Sequence, residues 1–217
     1  MDPAKAELLG LLAAEGNEYH YSRRYARFLA NRGPAGKWYL INYRQQAVEF
    51  TNVELALQLR VYQLLVMTYD GQKAAFGSRY RIRIRRKAIV TDLLRHTRLG
   101  CLEWRVPPEV MRSNYDHVKG AWCRGFADGE GTIRASEINL PSTNLRGLRQ
   151  VQQLLKSLEI GSKLRGPYNH RPYLDSFALA VPKRHFLTYA RRVGFNHPRK
   201  KRILSEILST TPVDRGS

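Results

Sequence analysis

Cysteine is almost missing from this chain. Its 217 residues include two, Cys101 and Cys123, too few for a disulfide framework or a four-thiolate metal site. The expected setting is therefore reducing and intracellular, cytoplasm or nucleoid. Acidic residues are scarce too: 18 Asp and Glu stand against 37 Lys and Arg. No apolar run approaches the ~20 residues that span a bilayer. The N-terminus carries Asp2 and Glu7 where a secretory signal would show a basic and then an apolar stretch. With no lipidation motif and no basic amphipathic anchor helix, a membrane is not an expected partner. The histidines show no His-x-x-x-His spacing and none neighbours a cysteine pair. A Gly-x-x-x-x-Gly-Lys-Ser/Thr loop and an RNP-like aromatic motif are also missing.

What is present is positive charge and a repeat. A net charge of +19 repels itself unless a polyanion relieves it, and nucleic acid does so with release of counterions. Leu8-Leu9-Gly10-Leu11-Leu12-Ala13-Ala14-Glu15-Gly16 lines up with Cys123-Arg124-Gly125-Phe126-Ala127-Asp128-Gly129-Glu130-Gly131, at an offset of 130 − 15 = 115 residues. Further on, Phe50-Thr51-Asn52 and Ser142-Thr143-Asn144 each lead into a helical pattern, the first ending Val61-Tyr62-Gln63-Leu64-Leu65 and the second Val151-Gln152-Gln153-Leu154-Leu155. The alternating stretches Tyr80–Ile84 and Phe177–Val181 follow, each before a Lys-containing helical segment.

These matches predict an α+β chain of two pseudo-symmetric αββαββα repeats. The first, residues 1–101, has segments near 4–15, 18–28, 37–50, 53–69, 72–85 and 87–97. The second, residues 114–217, has segments near 114–128, 131–140, 145–158, 162–181 and 183–210. Residues 102–113, with Pro107 and Pro108, read as a linker. Trp38, Trp104 and Trp122 read as packing residues.

Gly10 and Ala14, like Gly125 and Gly129, lie one helical turn apart. Small residues at that spacing leave a stripe where a second backbone can approach. If the two helices pack through these stripes, Glu15 and Glu130 arrive side by side at helix C-termini. There they repel each other and meet the negative end of the dipole. A divalent cation removes that penalty. Mg²⁺ takes oxygen ligands and keeps waters, and the carbonyls of Ala14 and Gly129 add to the two carboxylates.

The paired motif resembles that of the LAGLIDADG homing endonucleases, in particular the archaeal two-repeat members. The stretch Trp104–Gly131 and Val193-Gly194-Phe195-Asn196-His197-Pro198 before a basic helix carry the same resemblance. It implies saddle-shaped antiparallel sheets in the DNA major groove, Glu15 and Glu130 as ligands of two or more Mg²⁺, and cutting of both strands across the minor groove with short 3′ overhangs. The sequence departs from the pattern at Ala13, where an acid is usual; the second copy has Asp128. Asn52 and Asn144 occupy the place of a polar residue that orients catalytic water, and either is equally readable as a helix N-cap. Lys200 is a candidate for the family's basic residue near the metals, though it also reads as an exposed helix start.

Arg79, Arg81, Arg83 and Arg85 alternate with Tyr80, Ile82 and Ile84, predicting a cationic ridge on one strand face that can hold phosphates and read guanine edges. Tyr19, Tyr21 and Arg23 extend this surface, with Arg134 and Ser136 as counterparts after Glu130, and Lys163 and Arg165 further along. Ala178 and Ala180 replace the ridge in the second half, so the halves are expected to contact an asymmetric double-stranded DNA target unequally, as a monomer. Two rivals remain: a splicing maturase that holds intron RNA on the same fold, and a catalytically silent DNA-binding protein.

Overall fold

Asp2 opens the first helix, α1 (Pro3–Glu15), by accepting a hydrogen bond from the Lys5 amide at 2.9 Å, with Pro3 at the first helical position. The structure, a computed structural model, describes residues 1–29, 37–69, 75–78, 80–169 and 171–210. Residues 6–13 of α1 are all buried. The helix is apolar nearly all round because it is enclosed nearly all round, by its own sheet, by a second helix of its own half and by a central helix of the second half.

After α1 come strands β1 (Gly16–Leu29) and β2 (Lys37–Thr51), α2 (Leu55–Thr68), strands β3 (Ala75–Ser78) and β4 (Arg81–Ile84), and α3 (Lys87–His96). The sheet is antiparallel with order β1-β2-β4-β3. Val48 and Ile84 pair across β2 and β4, as do Phe50 and Ile82. All four are buried and form the floor on which the helices lie.

The second half repeats the plan with α5 (Asp116–Glu130), β5 (Thr132–Ile133), β6 (Glu137–Ser142), α6 (Leu145–Ser157), β7 (Lys163–Tyr168) and β8 (Ser176–Pro182). Its order, β5-β6-β8-β7, is the order of the first sheet. A 3-10 turn at Lys183–His185 leads into α7 (Phe186–Arg192), and α8 (Pro198–Ser209) follows. The stretch read as one segment, 183–210, is therefore broken. Gly194 takes φ +67 and its amide, like that of Val193, reaches the Tyr189 carbonyl at 2.8 Å, a helix stop that glycine favours. Pro198 then starts α8.

The linker is not a free tether. It contains a short helix, α4 (Pro108–Met111), and buries Trp104, Val106 and Val110. The Trp104 ring lies 4.7 Å from that of Phe126, centroid to centroid, and covers Gly147, where a Cβ would fall 2.5 Å from its ring carbons. Trp122 is buried as expected, whereas Trp38 is 70% exposed and does not pack in the core.

From Glu15 to Asn52 is 37 residues and from Glu130 to Asn144 only 14, so the first hairpin of the second half is shorter by 37 − 14 = 23 residues. The long β1–β2 hairpin has exposed positions on both faces beyond Val48, and belongs to the first half alone.

Candidate active site and nucleic-acid interface

The two central helices touch backbone to backbone. A Cβ on Gly10 would lie 2.9 Å from the Phe126 amide nitrogen and closer still to the Trp122 carbonyl oxygen. A Cβ on Gly125 would lie 2.9 Å from the Leu11 amide nitrogen and closer still to the Glu7 carbonyl oxygen. The contacts are reciprocal at the repeat offset, since 126 − 11 and 122 − 7 are both 115. This is what a local two-fold axis requires. At the end of the seam Gly129 meets the Ala14 Cβ, and its own Cβ would stand 3.3 Å from the Cγ of Glu15.

Glu15 and Glu130 thereby line one cleft of roughly 600 Å³ together with Ala14, Asn17, Cys101 and Ser142. Burial, and then the negative charge of Glu15, push the Glu130 carboxyl up to about 7, against the pull of Lys200. Glu15 is raised as well, by burial, while the Asn52 hydrogen bond and Lys200 oppose the shift. Among the described residues no side chain donates a hydrogen bond to Glu130, and no group of three or more His, Cys, Asp or Glu is placed to hold a metal ion by itself. The donor set is thus two repelling carboxylates at the ends of helices, all oxygen, which fits a hard divalent cation completed by waters and phosphate oxygens.

The two asparagines part company. Asn52 donates from Nδ2 to Glu15 Oε1 at 2.9 Å, while its Oδ1 accepts from the Glu54 amide at 2.8 Å. Asn144 takes the capping role. It is buried, its Oδ1 accepts from the Gly147 amide at 2.9 Å, and its Nδ2 donates to the Trp104 carbonyl at 2.7 Å. Asn144 therefore holds α6 and the linker rather than reaching the acids.

Lys200 is not an exposed helix start. It is partly buried, and its Nζ donates to the carbonyls of Ala127 at 3.0 Å, Asp128 at 2.6 Å and, at the longer 3.4 Å, Gly129. It sits on the negative end of α5. The Gly129 carbonyl, expected to face a cation, thus also lies within reach of this lysine. Burial lowers the Lys200 pKa, opposed by Asp128, Glu130 and Glu15. Asp128 is fully buried and accepts from the Asn196 and His197 amides at 3.0 and 3.1 Å. Burial pushes it up to about 6 despite those bonds.

Sequence reasoning missed Glu7, Arg60, Arg124 and Asn196. Glu7 is buried and receives hydrogen bonds from all three of the others. The available signal was a charged residue close to each seam glycine, Glu7 three positions before Gly10 on α1 and Arg124 next to Gly125 on α5.

The face of the first sheet opposite the helices carries Tyr19, Tyr21 and Arg23 from β1, all exposed, beside Arg81, Arg83 and Arg85. The arginines do not form a row of free cations. Glu49 of β2 lies opposite Arg83 and is held by Arg81 at 3.1 Å and Arg83 at 2.6 Å. Arg83 also stacks over Tyr19, 4.8 Å from the ring centroid. Arg85 is exposed and lines a groove with Tyr19, Tyr21, Tyr43 and Gln45, while Arg79 lies outside the described residues.

In the second half Arg134 and Ser136 are exposed, but in the turn between β5 and β6 rather than on a strand. Lys163 and Arg165 are exposed on β7, with Arg165 paired to Glu137 at 2.9 Å. Ala178 and Ala180 lie across from Arg165 and Lys163. None of the described helices is long and apolar enough to cross a membrane.

Residues 117–194, from α5 to Gly194, match the family model described as LAGLIDADG-like domain. The whole chain shares its fold with the homing endonuclease I-DmoI. A structure of I-DmoI with DNA and calcium is 17% identical with TM-score 0.64, covering 94% of this chain and 97% of that one. One with DNA and manganese is also 17% identical, with TM-score 0.61 and coverage of 88% and 96%. Full-length DUF199/WhiA from Thermatoga maritima is 13% identical with TM-score 0.55; the match covers 99% of this chain and 62% of that one. No curated protein matches. The resemblance read from the motif pair thus stands in a family match over much of the second half and in the fold of both halves, two antiparallel-sheet repeats joined at their motif helices.

Proposed function

From a chain with the LAGLIDADG two-repeat fold, we propose a site-specific endonuclease that hydrolyses both strands of double-stranded DNA, leaves short 3′ overhangs, and works intracellularly as a monomer with two or more Mg²⁺. The observation that carries this reading is the pairing of Glu15 and Glu130 at the end of the glycine seam, in one cleft and with raised carboxyl pKa values. A cation bound there supplies a lowered pKa for water and charge stabilisation for the departing 3′-oxygen. Asn52 orients the Glu15 carboxylate. Lys200 brings an ammonium group beside the two acids, where it offsets their charge and faces negative charge that develops on substrate. The β1–β2 hairpin with Tyr19, Tyr21, Arg23 and Arg85 supports one half of the recognition surface; Arg134, Ser136, Lys163 and Arg165 support a smaller second half. That difference favours an asymmetric target.

Incubation with a randomised duplex library in Mg²⁺, followed by sequencing of cut ends, tests the reading. Recovery of one long site, lost with Glu15→Gln or Glu130→Gln, supports it. A protein that retains intron RNA and cuts no duplex is a maturase, and one that enriches a duplex without cutting is a silent binder.

A further inference from the structure

The groups gathered at the acids come from four elements: Glu15 from α1, Asn52 from the turn before α2, Glu130 from α5 and Lys200 from α8. A single carboxylate, on α1 and eight residues before Glu15, is tied to the last three. Glu7, 1% exposed, accepts from Arg60 of α2 at 2.6 Å (Nε to Oε1) and 2.9 Å (Nη2 to Oε2). It accepts from Arg124 of α5 at 3.2 Å (Nε) and 3.1 Å (Nη2), both at Oε2. It also accepts from Asn196 Nδ2 at 2.7 Å. Arg124 continues to the Val193 carbonyl at 3.0 Å, and the Asn196 and His197 amides bind Asp128. The turn between α7 and α8 is therefore pinned by side chains from both halves, immediately before Pro198 starts α8 and three residues before Lys200.

Scaffold stability alone does not call for this cluster. Buried ion networks are on average no more stabilising than apolar packing of the same volume, and fixing one arrangement is a better-attested use. The repeat offset puts Trp122 at the counterpart of Glu7 (7 + 115) and Leu9 at that of Arg124 (124 − 115), so the cluster is not part of the repeated framework. It occurs on the side where α8 delivers a lysine to the end of α5.

We propose that Glu7 is a positioning residue that acts through Asn196, setting the α7–α8 turn so that the Lys200 ammonium is held on the last carbonyls of α5 beside the paired acids. Its effect on cleavage rests on the nuclease reading; its effect on Lys200 does not.

Two measurements test it. In the first, the full chain is labelled with an amine-acylating reagent, and modification of Lys200 is read by mass spectrometry against its exposed neighbour Lys201. The Lys200/Lys201 ratio should rise several-fold in Glu7→Gln. It should rise likewise in Asn196→Ala, which leaves both arginine pairs in place and guards against a Glu7 variant that does not fold. An unchanged ratio in a folded Asn196→Ala protein overturns the proposal. In the second, single-turnover cleavage of a selected site is compared with DNA affinity in Ca²⁺. Glu7→Gln should slow cleavage at least tenfold with affinity unchanged, and should add no further loss on a Lys200→Met background. Additive losses overturn the route through Lys200. A changed labelling ratio in a protein that cuts no duplex keeps the positioning role and removes the nuclease reading.

Discussion

Gly10 and Gly125 occupy reciprocal places on the two central helices, each against the backbone of the other helix, where a Cβ would stand 2.9 Å from an amide nitrogen and nearer still to a carbonyl oxygen. Neither contact can relax by turning a side chain, because both obstacles are main chain. Gly125→Ala should therefore force the helices apart and cost about 1–3 kcal/mol, read as a lower denaturant midpoint. Ala14, which lies at the seam's end against Gly129 rather than beneath a backbone, should tolerate Ala14→Gly with a smaller loss set by helix propensity, about 1 kcal/mol.

The acids give the fold a pH dependence of unusual sign. Glu130 has a folded pKa of about 7 against an ordinary 4.5, and Glu15 is raised as well. The unfolded chain releases these protons first, so stability falls as pH rises from about 4.5 towards 7 and levels off above it. Without divalent cations the protein should be less stable at pH 8 than at pH 5 by on the order of 1–3 kcal/mol from these groups. Glu130→Gln should remove much of that slope. Urea titrations in EDTA at the two pH values check it. A Glu130→Gln protein with an unaltered slope would mean the carboxyl is not held in the cleft as described.

The two asparagines should separate stability from chemistry. Asn144→Ala removes an N-cap and leaves the Trp104 carbonyl to Arg105 alone, which should cost about 1–2 kcal/mol with cleavage per bound DNA little changed. Asn52→Ala frees Glu15 from its hydrogen bond and should slow single-turnover cleavage roughly tenfold or more with a smaller loss of stability.

On the DNA side, Arg23 and Arg85 are exposed without a carboxylate partner among the described residues, while Arg81 and Arg83 are bound to Glu49. Arg23→Ala and Arg85→Ala should each weaken binding and reduce the slope of log affinity against log salt by about 1. Arg83→Ala should lower stability as well, because it strips a buried carboxylate of its closest partner. Fluorescence anisotropy across a salt series, beside thermal melts, distinguishes the two behaviours.

The seam and the acid pair were legible because their signals are local and repeated: Gly10 with Glu15, and Gly125 with Glu130, at one offset. Alternation along Tyr80–Ile84 likewise sets Ile82 and Ile84 on the face away from the arginines; both are buried, whereas Tyr80 at the start of the run is exposed. What was not legible depends on contacts between distant residues. Glu49 is 34 positions from Arg83, and nothing in the arginine run shows that a carboxylate on the neighbouring strand will bind two of its members. Lys200 at the start of a basic helix looks exposed until the turn at Gly194 and the bonds to Asp128 and Glu7 aim it at the end of α5. Arg134 and Ser136 fall in a turn rather than on a strand because the second half is 23 residues shorter between its acid and its asparagine (37 − 14), so β5 ends at Ile133.

The central claim is that the glycine seam makes one metal site from two repeats. Anomalous diffraction from crystals of the protein grown with Mn²⁺ and a selected duplex tests it most directly. The account predicts manganese density in contact with both the Glu15 and the Glu130 carboxylates. Manganese bound away from them, or carboxylates turned apart with DNA in place, would contradict it.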